Sequence, residues 1–156
     1  VHKVYPWVDN VIAALLLKRR DVSIVTVGDH LCQLLEVGWE NENRVITKSG
    51  QWPIGKTLAF IEHCNVVVGP ETGVLNAASM MSNHKCVFLS HSSNENLTKH
   101  WNNTTAFEPE YCPCFPCHKL HFGFSTCNRD EKTGGALCAS NIKPERVVRD
   151  ILRNMR

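Results

Sequence analysis

The sequence lacks a long apolar run, a block of like charges and a signal peptide. A membrane-spanning helix needs roughly 18 to 20 apolar residues, and no stretch approaches that length. The N-terminus does not show the charged, apolar and small-residue order of a secretory signal. The 17 basic and 15 acidic residues are scattered, so the net charge of +2 gives no reason to expect a nucleic-acid partner. These absences predict a cytoplasmic protein without a transmembrane segment.

Internal repeats and low-complexity linkers are also absent, which argues against an array or a chain of small modules. The 156 residues are 43% hydrophobic and 21% charged, enough apolar content for one packed core. We therefore expect a single domain over residues 1–156.

Short β-branched runs alternate with segments of helical spacing along most of the chain. This alternation is typical of βαβ units, which form a parallel sheet with helices on both faces. The fold class we predict is α/β, a Rossmann-like doubly wound parallel sheet. The expected helices cover 6–20, 54–62, 73–81 and 144–155, with a short one through 31–35, and the expected strands cover 22–27, 44–47, 65–68 and 86–89.

Residues 108–141 break this rhythm and form what we call the Cys-rich loop, before the C-terminal helix. Of the eight cysteines, Cys32, Cys64 and Cys86 stand singly in apolar segments and are interpreted as reduced core residues. The other five fall within the Cys-rich loop. An aperiodic segment of this length normally has a function or a cross-link of its own.

A structural zinc ion is the cofactor that the Cys-rich loop suggests. Cys114 and Cys117 form a Cys-x-x-Cys pair, and Cys127 and Cys138 complete a set of four thiolates. A disulfide or free thiols that pack the loop remain alternatives, although disulfides are rare in the cytoplasm. No redox cofactor is expected, because the pair follows a loop instead of opening a helix. Substitute ligands in the same segment are Cys112, His118 and His121.

A glycine-containing turn follows the strand at 65–68 and leads into a helix. Gly73 has no Cβ and would let a diphosphate approach the backbone, and Thr72 offers a hydroxyl and an N–H. Glu71 is able to accept hydrogen bonds from ribose hydroxyls. The same residues also suit a plain turn in which Thr72 caps the helix and Glu71 complements its dipole. The motif alone therefore leaves both interpretations open.

Three separate patches, in order, resemble the C-terminal domain of the lipopolysaccharide heptosyltransferase family, two-Rossmann-domain glycosyltransferases of the GT-B type. Residues 3–6, Lys-Val-Tyr-Pro, are similar to that family's Lys-x-Trp-Pro signature. Residues 66–78 resemble its apolar strand followed by Asp-Thr-Gly-x-x-His. Residues 114–117, with the closing helix from 142, are similar to its Cys-x-Pro-Cys segment. The resemblance extends over nearly the whole sequence.

The resemblance implies a nucleotide-diphosphate sugar as ligand, with an inverting transfer to an acceptor. It assigns donor contacts to Lys3 and to the turn formed by Glu71, Thr72 and Gly73, and it extends the site through Val74 and Asn76. Glu71 stands in place of aspartate, and Asn76 in place of histidine cannot carry a positive charge. The donor therefore need not be ADP-heptose.

Two further turns are expected at the same edge of the sheet, one at Gly28 and one at Gly50. Trp52 follows the second turn and is suited to stack on a nucleotide base. An equally simple interpretation is that Trp52 packs on Ile54 and Leu58 at the entry of the next helix.

The family keeps its catalytic aspartate in the N-terminal domain, so the resemblance implies no catalytic residue here. Asp9, Asp21 and Asp150 are interpreted as helix-surface residues. We expect the chain to be the donor-binding half of a lipopolysaccharide-pathway glycosyltransferase, inactive without its N-terminal acceptor domain, with an acceptor that can lie at a membrane surface. The alternative is a non-catalytic, zinc-stabilised binding module. A Rossmann-type oxidoreductase is disfavoured, since no Gly-x-Gly-x-x-Gly follows a strand.

Overall fold

Five strands and five helices alternate in the computed structural model, which describes residues 3–119 and 127–155. A 3-10 helix over His30–Leu35 and a π-helical turn over Asn94–Thr98 lie between them. The strands are β1 (Ile24–Thr26), β2 (Val45–Thr47), β3 (Val66–Pro70), β4 (His84–Phe88) and β5 (Thr104–Phe107). The helices are α1 (Val8–Lys18), α2 (Ile54–Ile61), α3 (Gly73–Ala78), α4 (Leu137–Ser140) and α5 (Pro144–Asn154).

The two longest helices follow directly from their apolar spacing. In α1 the residues Val11, Ile12, Leu15 and Leu16 are buried, and in α5 the buried residues are Val147, Val148 and Ile151. These positions recur every three or four residues and form one apolar face on each helix. Pro144 opens α5, where its missing N–H costs no helical hydrogen bond.

All strand pairs described are parallel, as predicted. They form two groups, β1–β2 and β3–β4–β5, with β4 at the centre of the second group. In that group Val68 pairs with Cys86, which in turn pairs with Thr105. Because the strands are parallel, their carboxyl ends meet at one edge of the sheet, which we call the carboxyl edge.

Helices cover both faces of the sheet, so the doubly wound prediction is confirmed. Cys86 and Phe88 of β4 point into a core shared with α1 and α5, whereas Val87 packs with Leu75 of α3 on the other face. The larger core also contains Val45 of β2, and it therefore joins the two strand groups in one domain. None of the helices described is long and apolar enough to cross a membrane.

Some elements differ from the sequence-based prediction. The strand β5 and the π-helical turn were not predicted, and the Cys-rich loop contains the short helix α4. Leu31 and Leu34 of the 3-10 helix are 75% and 73% exposed, so their helical spacing does not correspond to a buried face. The predicted helices and strands are otherwise present with slightly different ends.

Candidate functional site

The segments that follow the strands converge at the carboxyl edge. Beyond β1 and β2, the Gly50 N–H donates a hydrogen bond of 2.8 Å to the Gly28 carbonyl. Beyond β3 and β4, the turn at residues 71–73 faces the segment at residues 90–92. Within each strand group, the turns that follow neighbouring strands therefore lie together.

Glu71 is 3% exposed, and its carboxylate is occupied by the chain itself. The backbone N–H groups of Ser90, His91 and Ser92 donate to it at 3.0, 3.3 and 3.0 Å, and the Ser90 hydroxyl donates at 3.2 Å. His91 Nδ1 also lies against Glu71 Oε2. A carboxylate has about four lone-pair positions, so these donors saturate it. Glu71 thus links the turn after β3 to the segment after β4. A ribose hydroxyl would need the same lone pairs, so the expected ribose contact of Glu71 does not fit this arrangement.

Lys3 lies beside this turn, although 68 positions separate it from Glu71. Its Nζ donates a 2.7 Å hydrogen bond to the Glu71 carbonyl. The neighbouring Tyr5 fixes this part of the chain, since its hydroxyl donates to the Ile142 carbonyl at 2.9 Å and its ring stacks on Phe88 at 4.2 Å. The sequence-based grouping of Lys3 with the turn is therefore matched by their positions.

Thr72 and Gly73 leave room for a ligand. Thr72 occupies the N-cap position of α3, but within the described chain its hydroxyl makes no capping hydrogen bond. A Cβ built on Gly73 would meet no atom of the described residues within 4 Å, so packing does not require glycine there. Gly73 and Asn76 are exposed and Val74 is half-buried. The capping alternative for the Thr72 side chain is not what this geometry shows.

Gly28 and Gly50, in contrast, are required by packing. A Cβ on Gly28 would lie 2.4 Å from Cys32 Sγ. Gly50 has a φ of +70°, and a Cβ there would lie 2.5 Å from His30 Nδ1. Left-handed backbone of this kind favours glycine. Both glycines therefore shape the edge whether or not they touch a ligand.

A second buried glutamate holds the turns after β1 and β2. Glu36 is 8% exposed, and its Oε1 accepts hydrogen bonds from the Thr26 hydroxyl at 2.6 Å and from the Ser49 N–H at 3.1 Å. Sequence analysis did not single out this residue. Glu36 therefore connects the segments after β1 and β2 in the same way that Glu71 connects those after β3 and β4.

Trp52 is half-buried and packs against other side chains. Its ring lies edge-on to Phe60 at 5.1 Å, and Lys56 Nζ stands 4.9 Å above it. This arrangement favours the packing interpretation, with Phe60 and Lys56 as the contacts of the ring. A base could stack on that ring face only if Lys56 moved away.

The Cys-rich loop gathers its thiols close to this edge. Cys112 Sγ and Cys114 Sγ are 3.5 Å apart, and Cys112 and Cys127 pack against the buried cluster formed by Ala136, Cys138 and Ala139. All eight cysteines are free in the described chain. Burial, followed by the neighbouring thiols, raises the pKa of Cys112 to about 11 and that of Cys138 to about 12.

Among the described residues, no three of these sulfurs lie within 4.8 Å of one another, so the thiols are gathered but not closed into a metal site. The His118 N–H donates to the His91 carbonyl at 2.9 Å, which links the Cys-rich loop to the segment bound by Glu71. His121, the other substitute ligand considered from the sequence, lies outside the described residues.

Asp150 is not a helix-surface residue, contrary to the prediction. Its carboxylate lies against the sheet, with Oδ2 2.7 Å from His84 Nε2 and accepting from the Cys86 thiol at 3.1 Å. Sequence analysis did not connect these residues, which lie 66 positions apart. The group has no role in the expected site.

The fold is shared with glycosyltransferases. No protein-family model matches the sequence, and no curated protein matches it. Among solved structures, the chain aligns with E. coli ADP-heptose lps heptosyltransferase II at a TM-score of 0.69 and 14% identity. It aligns with a glycosyl transferase family 9 protein from Veillonella parvula DSM 2008 at a TM-score of 0.70 and 15% identity. Each alignment covers 99% of this chain and 42% of the other protein, so this chain spans less than half the length of either. The predicted resemblance to this glycosyltransferase family is therefore confirmed at the level of the fold.

Proposed function

We propose that this chain binds a nucleotide-diphosphate sugar at the carboxyl edge and serves as the donor half of an inverting, heptosyltransferase-like glycosyltransferase. The observation that carries the proposal is the position of Lys3, whose ammonium group is fixed on the carbonyl of Glu71. In the same turn, and among the residues that the structure describes, the Thr72 hydroxyl makes no capping hydrogen bond and the space beside Gly73 is open. The shared fold supports the same assignment.

Each residue of the turn has a distinct task in this proposal. Lys3 supplies the positive charge that a diphosphate needs, Gly73 lets a phosphate approach the backbone, and Thr72 donates hydrogen bonds. Glu71 positions the turn instead of touching the ribose, since its lone pairs are already filled. The remaining donor-site residues of the proposal are Gly28, Gly50, Trp52, Val74 and Asn76.

Titration with a panel of ADP-, UDP-, GDP- and CMP-sugars by calorimetry tests the proposal. We expect one of the diphosphate-linked donors to bind, and CMP-sugars, which have a single phosphate, to bind less well. Lys3→Ala is expected to weaken binding about tenfold or more, because a charge-assisted hydrogen bond contributes roughly 1.5–3 kcal/mol. Lys18→Ala, at an exposed position on α1, is the matched control. A chain that binds zinc and none of these donors would instead be the non-catalytic binding module.

Catalysis by this chain alone is not expected. An inverting transfer needs a general base to deprotonate the acceptor. The two buried carboxylates described at the carboxyl edge, Glu36 and Glu71, are both held by internal donors. We place the base and the acceptor in an N-terminal acceptor domain, and the complete enzyme in the cytoplasm, in lipopolysaccharide biosynthesis, with an acceptor at the membrane surface.

The purified 156 residues should therefore show no transfer from a bound sugar nucleotide to an acceptor. Product formation followed by mass spectrometry checks this outcome. Addition of a separately produced acceptor domain is the informative comparison, because it should restore turnover. Robust transfer by the chain alone would show that a base at this edge has been overlooked.

We further propose that zinc cross-links the Cys-rich loop through Cys114, Cys117, Cys127 and Cys138. Four thiolates are a common structural zinc set, and metal binding replaces their protons. Cys127 packs against the small cluster that contains Cys138. Burial raises the pKa of Cys127, and the neighbouring thiols of Cys114 and Cys117 raise it further, so all four proposed ligands belong to one neighbourhood. The His118–His91 hydrogen bond would then place the cross-linked loop next to the Glu71 turn.

Elemental analysis of protein purified without chelators checks the zinc proposal. Cys117→Ser is expected to lower the zinc content by about one ion per chain and to loosen the loop, while the core stays folded. Cys64→Ser is the control, because Cys64 is half-buried elsewhere and should leave the content unchanged. Equal zinc contents in the two variants would contradict the assignment, and non-reducing mass spectrometry would then test for disulfides.

A further inference from the structure

A polar cluster lies under α5 at the end of the strands opposite the carboxyl edge. It consists of His84 and Cys86 of β4, Thr105 of β5 and Asp150 of α5, and we call it the His84 cluster. His84 and Cys86 are two positions apart on one strand and so point to the same face. Thr105 is the register partner of Cys86, and α5 packs across that face of β4. Four polar side chains thus interrupt an otherwise apolar interface.

The donor atoms in the His84 cluster converge closely. Asp150 Oδ2 lies 2.7 Å from His84 Nε2 and 3.1 Å from Cys86 Sγ, and the Thr105 hydroxyl donates to Asp150 Oδ1 at 3.1 Å. The nitrogen, the sulfur and a carboxylate oxygen all lie within 4.8 Å of one another. Cys86 forms the closed floor of the cluster, while the His84 and Asp150 side chains are 13% and 18% exposed. An ion can therefore enter from the rim.

We propose that the His84 cluster is a binding site for a divalent transition metal ion, with zinc as the fitting ion. Imidazole, thiolate and carboxylate are all zinc ligands, whereas calcium and magnesium prefer oxygen alone. A thiolate and a carboxylate carry two negative charges and the imidazole is neutral, so a divalent ion gives a net charge of zero. A neutral site is favoured here because burying an uncompensated charge costs free energy.

Metal binding needs only a small rearrangement of the cluster. Zinc bonds of roughly 2.0–2.3 Å place tetrahedral ligand atoms about 3.3–3.8 Å apart. The observed separations of 2.7 and 3.1 Å would therefore open by less than about 1 Å. The thiol proton of Cys86 leaves to solvent, and the Thr105 hydroxyl or a water molecule completes the fourth position. The bound ion would join α5 to β4 and β5.

The His84 cluster is separate from the other proposed sites. His84 begins β4 and Cys86 is its central residue, whereas the donor turn follows β3 and faces the segment after β4. The cluster shares no residue with the Cys-rich loop. The metal proposal therefore holds or fails independently of nucleotide-sugar binding.

Zinc titration against a chromophoric chelator tests the proposal in a Cys114→Ser/Cys117→Ser background, which removes the pair central to the loop site. We expect this background protein to bind about one zinc ion per chain tightly. His84→Gln should lower the zinc affinity by more than the roughly 10- to 100-fold that loss of an outer-shell partner causes, because His84 is proposed as a direct ligand. Cys86→Ala should have the same effect. His100→Gln, at an exposed position, is the matched control.

Cobalt binding provides a second readout, because a thiolate ligand gives a charge-transfer absorption in the near ultraviolet. That absorption should appear in the background protein and disappear in Cys86→Ala. If Cys86→Ala does not fold, the zinc affinity of His84→Gln decides the test, because this variant leaves the buried Cys86 thiol in place. Unchanged zinc affinity in folded His84→Gln, or no zinc binding by the background protein, would overturn the proposal.

Discussion

Glu71→Gln is expected to destabilise the chain by about 3–5 kcal/mol, the range seen when one partner of a buried charged group is removed. Glutamine has nearly the same volume, so packing is kept. Its amide nitrogen, however, would face the N–H groups of residues 90–92, which then lose an acceptor. Chemical denaturation followed by circular dichroism measures the change, which corresponds to a fall in Tm of roughly 6–20 °C.

Two variants calibrate this result. Glu62→Gln removes an exposed carboxylate and should change stability by less than about 0.5 kcal/mol. Glu71→Asp keeps the charge but shortens its reach, so it should lie between the wild type and Glu71→Gln. If Glu71→Gln behaved like Glu62→Gln, the turn after β3 would not depend on its carboxylate.

Gly73→Val is expected to weaken nucleotide-sugar binding by about 100-fold, or about 2.7 kcal/mol, without destabilising the fold. Affinity should fall while stability is kept, because a Cβ at Gly73 meets no described atom within 4 Å. The added side chain would therefore occupy the space proposed for the phosphate. Calorimetric titration with the donor selected from the panel measures the affinity, and thermal unfolding measures the stability.

Gly73→Ala adds one carbon and should fall between wild type and Gly73→Val. Ala59→Val adds bulk at an exposed position of α2 and should bind like the wild type. Wild-type affinity in a folded Gly73→Val variant would remove the turn from the donor site.

Hydrogen bonds connect the carboxyl edge to the Cys-rich loop. Glu71 holds residues 90–92, and the His91 carbonyl accepts from the His118 N–H. A cross-link that orders the loop therefore also supports the turn that we propose binds the donor.

Most of the secondary structure was predictable because strong local patterns determine it. The apolar spacing of α1 and α5 and the β-branched run of β3 need no long-range information. The strand β5 was missed because Thr104 and Thr105 interrupt its apolar character, and its place beside β4 is a tertiary contact. Leu31 and Leu34 show the opposite case, since helical spacing alone does not decide whether a face is covered.

The strand-to-helix turn at residues 71–73 was predictable because one motif covers neighbouring residues, but the internal hydrogen bonds of the Glu71 carboxylate were not. Long-range partners were not predictable, because Glu36 and Ser49 or His84 and Asp150 meet only in the folded chain. The sequence did contain a sign that Asp150 is partly buried, because Asp150 lies three positions after Val147 and so flanks the apolar face of α5.

NMR mapping of backbone amide shifts is the sharpest check on a donor site at the carboxyl edge, because it locates the ligand as well as detecting it. On addition of the nucleotide-diphosphate sugar that binds, we expect the largest shifts at the amides of Thr72, Gly73 and Val74, with further shifts near Gly28 and Gly50. Amides beside His84, at the opposite end of β4, should stay unchanged. Shifts confined to other parts of the chain, or no shifts with any donor of the panel, would contradict a donor site at the carboxyl edge.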